Sequence, residues 1–527
     1  MTRFLRQVSP MIGAVVLPFA GLLYSSQAEA LVADLTASRT ACTSPCTIVF
    51  SAQTTTDDSL PNQHEVFRKL LYDFAFDDPD SGVHETTGLP QQTQSGGPLA
   101  THTFICNAGT CRYSVAVTAR NGSGEVSEDS LEITVESPEA AYAAADTICV
   151  SPSGRFTGDE PCPAGATEQT FMPALSEFSQ KRVLFRRGEV IPGELCIGYG
   201  DKNVLLGSFG NTADAKPELT GTIHVGVDAT CQRPSNVTTA EARAFGDRWS
   251  ENITISDLRV PAVVMGMSYH NVGLHDLDMD YFSEPTGGFI TMASAGDRCV
   301  RQTSLDCDAV PYPYGLYMSE LTVVTSDADA VGGTGGSDGV TIAGYNCPLI
   351  NWLGLIGSTF WNAYQHQFRL EGGQRLSLSH NNMRGHTKGP TKKHTATLRS
   401  CGYSDIDIAQ SRRHDVDQGR PGAPWTRWAV FADNIHGSED ATNPSFKLHI
   451  APTNAIANET IVDAIVERST FVTGLQSSID LALNGYYLTA RTDNVYTPER
   501  QDCKDIGPAS NPVHGEIDCE GGVPPLP

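Results

Sequence analysis

The chain has 527 residues, a formal net charge of −25 and 14 cysteines. Its 61 Asp+Glu against 36 Lys+Arg give a surface that repels nucleic acid and anionic membranes, which argues against both as partners. Beyond residue 30 no run approaches about 18 consecutive apolar residues, so no membrane insertion is expected.

At the N-terminus Arg3 and Arg6 precede an apolar run from Met11 to Leu23, and Ala28-Glu29-Ala30 supplies a small-x-small cleavage pattern. Residues 1–30 therefore read as a signal peptide, and the mature chain is expected to be secreted, periplasmic or on the cell surface, as a monomer. The cysteines fall mostly in short local pairs: Cys42 with Cys46, Cys106 with Cys111, Cys149 with Cys162, Cys299 with Cys307 and Cys503 with Cys519. Cys196 with Cys231 and Cys347 with Cys401 complete the set. In an exported chain these read as loop-stapling disulfides. Metal ligation, the rival reading, lacks CxxC pairs and Cys/His quartets.

Residues 31–137 show short β-type runs (Cys46 to Ala52, Tyr113 to Ala119, Leu131 to Val135) between Gly, Asn, Asp and Pro clusters, the pattern of a small antiparallel sandwich. Within them, YDFAFDDPDSG (Tyr72 to Gly82) resembles the core motif of PKD domains. THTF followed by AGTCRYSVAVTARNGSGE, within Thr101 to Glu125, resembles that family's closing strands. Phe74 stands where the family has Trp, and Asp77 where it has Gly. The resemblance implies an Ig-like (PKD) β-sandwich serving as an extracellular spacer or binding module. An Ala-rich linker is expected at 138–148.

From 149 to 497 the pattern changes to short apolar strands separated by turns. A frame of an apolar residue, three others, a small polar residue and another apolar residue recurs. It runs Ile253…Asp257-Leu258, Val272…Asp276-Leu277, Leu316…Glu320-Leu321, Leu355…Thr359-Phe360, Leu378…Asn382-Met383, Val430…Asn434-Ile435 and Val466…Thr470-Phe471. A second register sets Val340, Phe368 and Ala396 at intervals of 28 residues. Repeats of this length with a β pattern signal a solenoid, each coil laying apolar residues on the last, with Asn or Thr at the turns free to stack into ladders. The frame resembles right-handed parallel β-helix proteins, among them many polysaccharide lyases and hydrolases. The fold class expected is thus all-β, an N-terminal Ig-like sandwich followed by a right-handed parallel β-helix. The last segment, 498–527, is a Pro/Gly-rich tail tied by Cys503 and Cys519.

Chemistry concentrates in one place. Between His366 and Arg427 stand 11 Lys+Arg against five Asp+Glu, a basic island in an acidic chain. Such an island suits an acidic polysaccharide. A uronate lyase must neutralise a carboxylate, for which Arg offers a bidentate clamp, and must supply a base, for which a Lys among other cations or a neutral His serves. Arg369 or Arg399 is the candidate clamp and Lys393 or Lys388 the candidate base. His394 or His366 is the candidate proton donor or substrate contact. Arg384, His386, Lys392, Arg413 and His414 are candidate substrate contacts, Trp425 a candidate sugar platform, and Trp428, by parity with Val430, a core residue. β-Helix lyases are similar in using Lys and Arg this way, some with calcium. The same island fits glycan binding without turnover, and Asp327, Asp329 and Asp338 offer carboxylates for a glycoside hydrolase. HDLDMD (His275 to Asp280) and DFAFDDPD (Asp73 to Asp80) suit calcium through oxygen ligands, or a solvated face.

Overall fold

The computed structural model describes residues 31–173, 178–227, 231, 250–265, 269–281, 290–292, 314–325, 340–342, 350–361, 366–371, 373–384, 394–400, 427–437, 447–452, 463–472, 479–481, 487–490 and 495–497. The presumed signal peptide and tail lie outside them. Disulfides join Cys42–Cys46, Cys106–Cys111, Cys149–Cys162 and Cys196–Cys231, as the spacings predict; the other three expected pairs lie outside the described residues. No helix among the described residues is long and apolar enough to cross a membrane.

In the five-stranded sheet the long strands alternate buried and exposed residues, giving one face to bury, whereas Cys46–Ser51 and Leu99–Phe104 of the smaller sheet are buried at every position. A five-stranded sheet (Ala41–Thr43, Val126–Glu136, Thr110–Arg120, Leu71–Ala75, Thr93–Gly96) and a three-stranded sheet (Thr36–Ala37, Cys46–Ser51, Leu99–Phe104) close over one core. Phe50, Tyr72, Phe74, Phe76, Phe104 and Val115 fill it. His102 stacks on Phe76 at 4.4 Å and hydrogen-bonds Asp78 at 2.9 Å. The following segment forms a short helix, Pro138–Ala141, capped by the Ser137 hydroxyl, and a 3-10 turn, Ala144–Asp146. Strand Thr147–Val150 then opens the main sheet by pairing in parallel with Arg182–Arg186.

From there the chain coils as a parallel β-helix with three faces. First-face strands (such as Tyr314–Ser319, Ile350–Ile356, Gly373–Ser379, Arg427–Ala432 and Asp463–Glu467) and second-face strands (such as Thr322–Thr325, Thr359–Trp361, Asn382–Arg384 and Ile435–Gly437) belong to a 20-stranded sheet. Third-face strands (such as Val340–Ile342, His366–Glu371, His394–Ser400 and Lys447–Pro452) make a 9-stranded sheet. The 28-residue register holds: Val340 pairs with Phe368, and Phe368 with Ala396. Inward residues such as Ile253, Leu274, Met318, Leu355, Leu378, Phe431 and Val466 form one continuous apolar core.

Left-handed residues bracket the first-face strand in coil after coil. At or just inside its start, Gln180, Asn203, Asn252, Asn271, Gly315, Trp352, Arg375 and Trp428 all have positive φ. After it stand Asp257, Asp276, Glu320, Gly357, His380, Asp433 and Arg468, also with positive φ. Asn and Asp tolerate this region best after Gly. At position 315 Gly is required for space as well, since a Cβ there would lie 2.5 Å from the Tyr317 hydroxyl.

This alignment corrects the sequence frame. Thr359 pairs with Thr322 and with Asn382, not with Glu320, whose counterpart is Gly357. In the later coils a small polar residue follows the left-handed one and turns inward: Ser358, Asn381, Asn434 and Ser469, all buried. The frame took the next polar residue in three coils, Thr359, Asn382 and Thr470, and so slipped. The inward ladder caps backbone that the bend strands. Asn381 Nδ2 donates to Leu355 O (3.0 Å) and to Asn434 Oδ1 (3.0 Å), and Asn434 Nδ2 donates to Leu378 O (2.8 Å). Asn434→Ala removes a donor and an acceptor from a dry site, so we expect a stability loss of about 3 kcal/mol in the denaturant midpoint; a loss below about 1 kcal/mol would contradict this role.

The sandwich lies along the first face. Its strands Cys46–Ser51 and Leu99–Phe104 contact the first-face strands from Tyr314–Ser319 to Arg427–Ala432, and helix Gln63–Lys69 contacts Asp463–Glu467. Phe67 and Leu99 pack with Val430, Ala432 and Ile465, and Val49 packs with Tyr317 and Trp352. Gly97 N donates to Glu467 Oε1 (2.7 Å), and the hydroxyls of Thr47 and Ser319 share a 2.9 Å hydrogen bond. Val430 therefore faces out of the coil into the sandwich while Ala429 and Phe431 face in. Trp428, expected in the core, instead packs half-buried at this interface.

One contact across the interface is sensitive to protons. The rings of His84 (sandwich) and His380 (β-helix) stack at 3.8 Å. Burial, then the nearness of His380 and His102, pushes His84 down to about 2; burial, then Arg468, pushes His380 down to about 3. A histidine whose folded pKa lies below its unfolded value contributes stability that is whole above about pH 6.5 and is lost as pH falls toward the folded value. Thermal melts below about pH 6 should therefore lose roughly 1.4 kcal/mol per pH unit for each ring. The double variant His84→Gln, His380→Gln should flatten that slope, and an unchanged slope would show that the pair is not responsible.

Candidate functional site

Backbone register fixes where the basic island lies. Strands His366–Glu371 and His394–Ser400 are neighbours on the third face, with His366 opposite His394, Arg369 opposite Thr397 and Glu371 opposite Arg399. The next coil sets Lys447 opposite His394 and His449 opposite Thr397. Phe368 and Leu370 are fully buried in the coil, and Arg369 holds the alternate position between them. Arg369 and Arg399 are thus one strand across and two residues along from each other, about 8 Å between Cα atoms from strand spacing and rise. Arg384 is on the second face, at the end of Asn382–Arg384 and opposite Gly437. His386, Lys388, Lys392, Lys393, Arg413, His414 and Trp425 lie outside the described residues, as do Asp327, Asp329 and Asp338.

One member of the island has another duty. Arg375 is clamped between two indoles, 4.9 Å from the Trp352 ring and 5.0 Å from that of Trp428, and donates to Asn351 Oδ1 at 2.8 Å. With the Gln53 amide oxygen turned toward it, Nη2 also meets the sandwich at 2.9 Å. Burial lowers the pKa of this guanidinium. Trp352 is itself buried against Val49, so neither it nor Arg375 is open to a sugar. Nothing in the spacing marks them as interface residues. The signal that existed was an Arg and two Trp at left-handed positions where the earlier coils have Asn and Gly.

The acidic segments proposed for calcium have protein partners. Lys216 Nζ sits 2.7 Å from Asp276 Oδ1 and 3.0 Å from Asp278 Oδ1. Burial pulls this ammonium down, but the two carboxylates outweigh burial and its pKa ends raised. Arg187 and the Ser208 hydroxyl both bind the Asp257 carboxylate. His275 Nδ1 bonds the Ser319 hydroxyl at 2.9 Å, and its pKa is lowered, first by burial. In the sandwich, Asp73 pairs with Arg120 (3.2 Å), Asp77 accepts from Ser114 N (3.1 Å) and Asp78 bonds His102. Among the described residues no group of three or more His, Cys, Asp or Glu side chains is arranged to hold a metal. Lys216→Met should leave the half-exposed Asp276 and Asp278 repelling each other and lower stability by about 1 kcal/mol, read by thermal denaturation at low salt. A variant as stable as the native chain would mean that the pair is solvated and of no consequence.

Comparison with known proteins adds little. No family model matches the chain, and no curated protein does. Among solved structures, the family 28 exopolygalacturonase of Yersinia enterocolitica aligns over 93% of this chain and 98% of its own, at 11% identity and a TM-score of 0.26. That likeness is too slight to assign an activity.

Proposed function

We propose that this chain is an exported protein that binds an acidic, uronate-containing polysaccharide along the third face of its β-helix and cleaves it by β-elimination. One observation carries the reading. Successive third-face strands set Arg369, Arg399 and His449 on one parity, alternate to the buried Phe368 and Leu370: Thr397 stands opposite both Arg369 and His449, and Arg399 lies two residues beyond Thr397, while the sandwich contacts named above lie on the first face. Two arginine positions and a histidine on neighbouring strands, about 4.8 Å apart, suit a polyanion running along the helix axis.

In this reading Arg369 or Arg399 pairs with a uronate carboxylate and stabilises the charge that develops when the adjacent carbon loses its proton. Lys393 or Lys388, made less basic by neighbouring cations, takes that proton. The electron pair forms a C=C bond as the glycosidic C–O bond breaks, and His394 or His366 protonates the departing oxygen. Calcium is not required by the residues named.

A second reading, retention of the glycan without turnover, is favoured by the sandwich. Its Tyr72 to Gly82 and Thr101 to Glu125 motifs resemble PKD domains, and Asp77 has a φ of 53° at the position where that family has Gly. We infer a PKD-like module that braces the β-helix. The experiment is direct. The mature protein is incubated with pectate, alginate, glycosaminoglycans and ulvan, and absorbance is followed near about 235 nm, where the unsaturated product of a proton-abstracting elimination absorbs. A rise with at least one substrate, reduced about 100-fold by Lys393→Ala and by Arg369→Ala, is expected. Reducing ends without absorbance would replace elimination by hydrolysis, and retention with neither signal would leave binding alone.

A further inference from the structure

The left-handed ladder in front of the first face changes character along the helix, and where it is not filled it floors a cavity. In the later coils Trp352, Arg375 and Trp428 stack there beneath the sandwich. In the first coils the same positions carry Gln180, Asn203 and Asn252. Their amides are chained, Asn203 Nδ2 to Gln180 Oε1 at 3.0 Å and Asn252 Nδ2 to Asn203 Oδ1 at 3.0 Å. Above them the sandwich edge and the connecting segment enclose about 390 Å³, within the size range of small-molecule sites.

We propose that this cavity between the sandwich and the first coils binds one or two units of a neutral sugar. Backbone geometry accounts for Asn at 203 and 252, but not for a wall that adds more neutral polar groups. Thr254 stands beside the amides, and Thr43 and Thr134 face them from the sandwich. Asn203 and Asn252 each use one donor and one acceptor in the ladder and Gln180 only its oxygen, so each keeps hydrogen-bonding capacity for a ligand. The charges present do not select an anion. Arg39 and Glu136 oppose each other in sign, and Asp146 is bound to Lys181 at 2.7 Å. Arg39 is held over the Tyr317 ring at 4.4 Å and donates to Thr47 O at 2.8 Å, while its buried Nε has no partner among the described residues. Alternating donors and acceptors with little net charge match the paired hydroxyls of an uncharged pyranose better than a carboxylate or phosphate. The site is separate from the basic third face and does not depend on the reading given to that face.

The test is calorimetric titration of the full chain with a panel of neutral disaccharides (cellobiose, maltose, xylobiose, mannobiose), with digalacturonate as the charged comparator. Binding of at least one neutral disaccharide is expected, weakened about tenfold by Asn252→Ala and by Thr134→Val and unchanged by Arg369→Ala. In the native protein the same sugar should slow amide hydrogen exchange at 41–43 and 134–136, a readout that needs no variant. Failure of every neutral sugar to bind overturns the proposal. So does binding that both variants leave intact, protection only elsewhere, or digalacturonate as the sole ligand protecting these amides.

Discussion

A coil can stack on its neighbour only if the chain bends at the same place each time, and here left-handed residues set that bend. They mark both ends of the first-face strand, from Gln180 to Trp428 at its start and from Asp257 to Arg468 at its end. Parallel pairing then follows coil by coil, and the inward Ser and Asn residues satisfy the backbone groups that the second bend would otherwise strand. The apolar core supplies most of the driving force, but its alignment depends on these bends. A slip of one residue would turn a strand's inward set outward.

The same bends decide what the outer surface can do. At the first bend, short amides leave room in the early coils, and large stacked side chains close that room further on. At the second bend, ion pairs join Lys216 to Asp276 and Arg468 to Asp433. His380 meets His84 there and joins the two parts of the chain. The sandwich is thus seated on a surface shaped for it. Gly96, with φ of 120° and no room for a Cβ, lets the Glu467 carboxylate approach the sandwich backbone.

Much of the fold was legible because burial has a period. Val340, Phe368 and Ala396 fall 28 residues apart since each fills the same inward slot of successive third-face strands. The local cysteine pairs were legible for a similar reason, four or five residues being a span that a turn closes. The slip at Thr359, Asn382 and Thr470 arose because several polar residues crowd each bend and only backbone geometry says which one turns inward. Val430 and Trp428 misled for another reason. A strand covered on its outer side by another domain is apolar at both parities, so alternation no longer separates core from interface. For the candidate site, sequence located the basic strands but not their register, which sets Arg399 against Glu371 rather than beside Arg369. It also counted Arg375 with the basic island, although that side chain is shut between two indoles.

The central claim is that the third face receives the glycan while the first face is occupied by the sandwich. Amide hydrogen exchange with and without saturating polygalacturonate tests it strand by strand. The account expects slowed exchange in His366–Glu371, His394–Ser400 and Lys447–Pro452, with Arg427–Ala432 and Asp463–Glu467 unchanged. Protection confined to the first-face or second-face strands, with the third face unaffected by a bound polyanion, would contradict it.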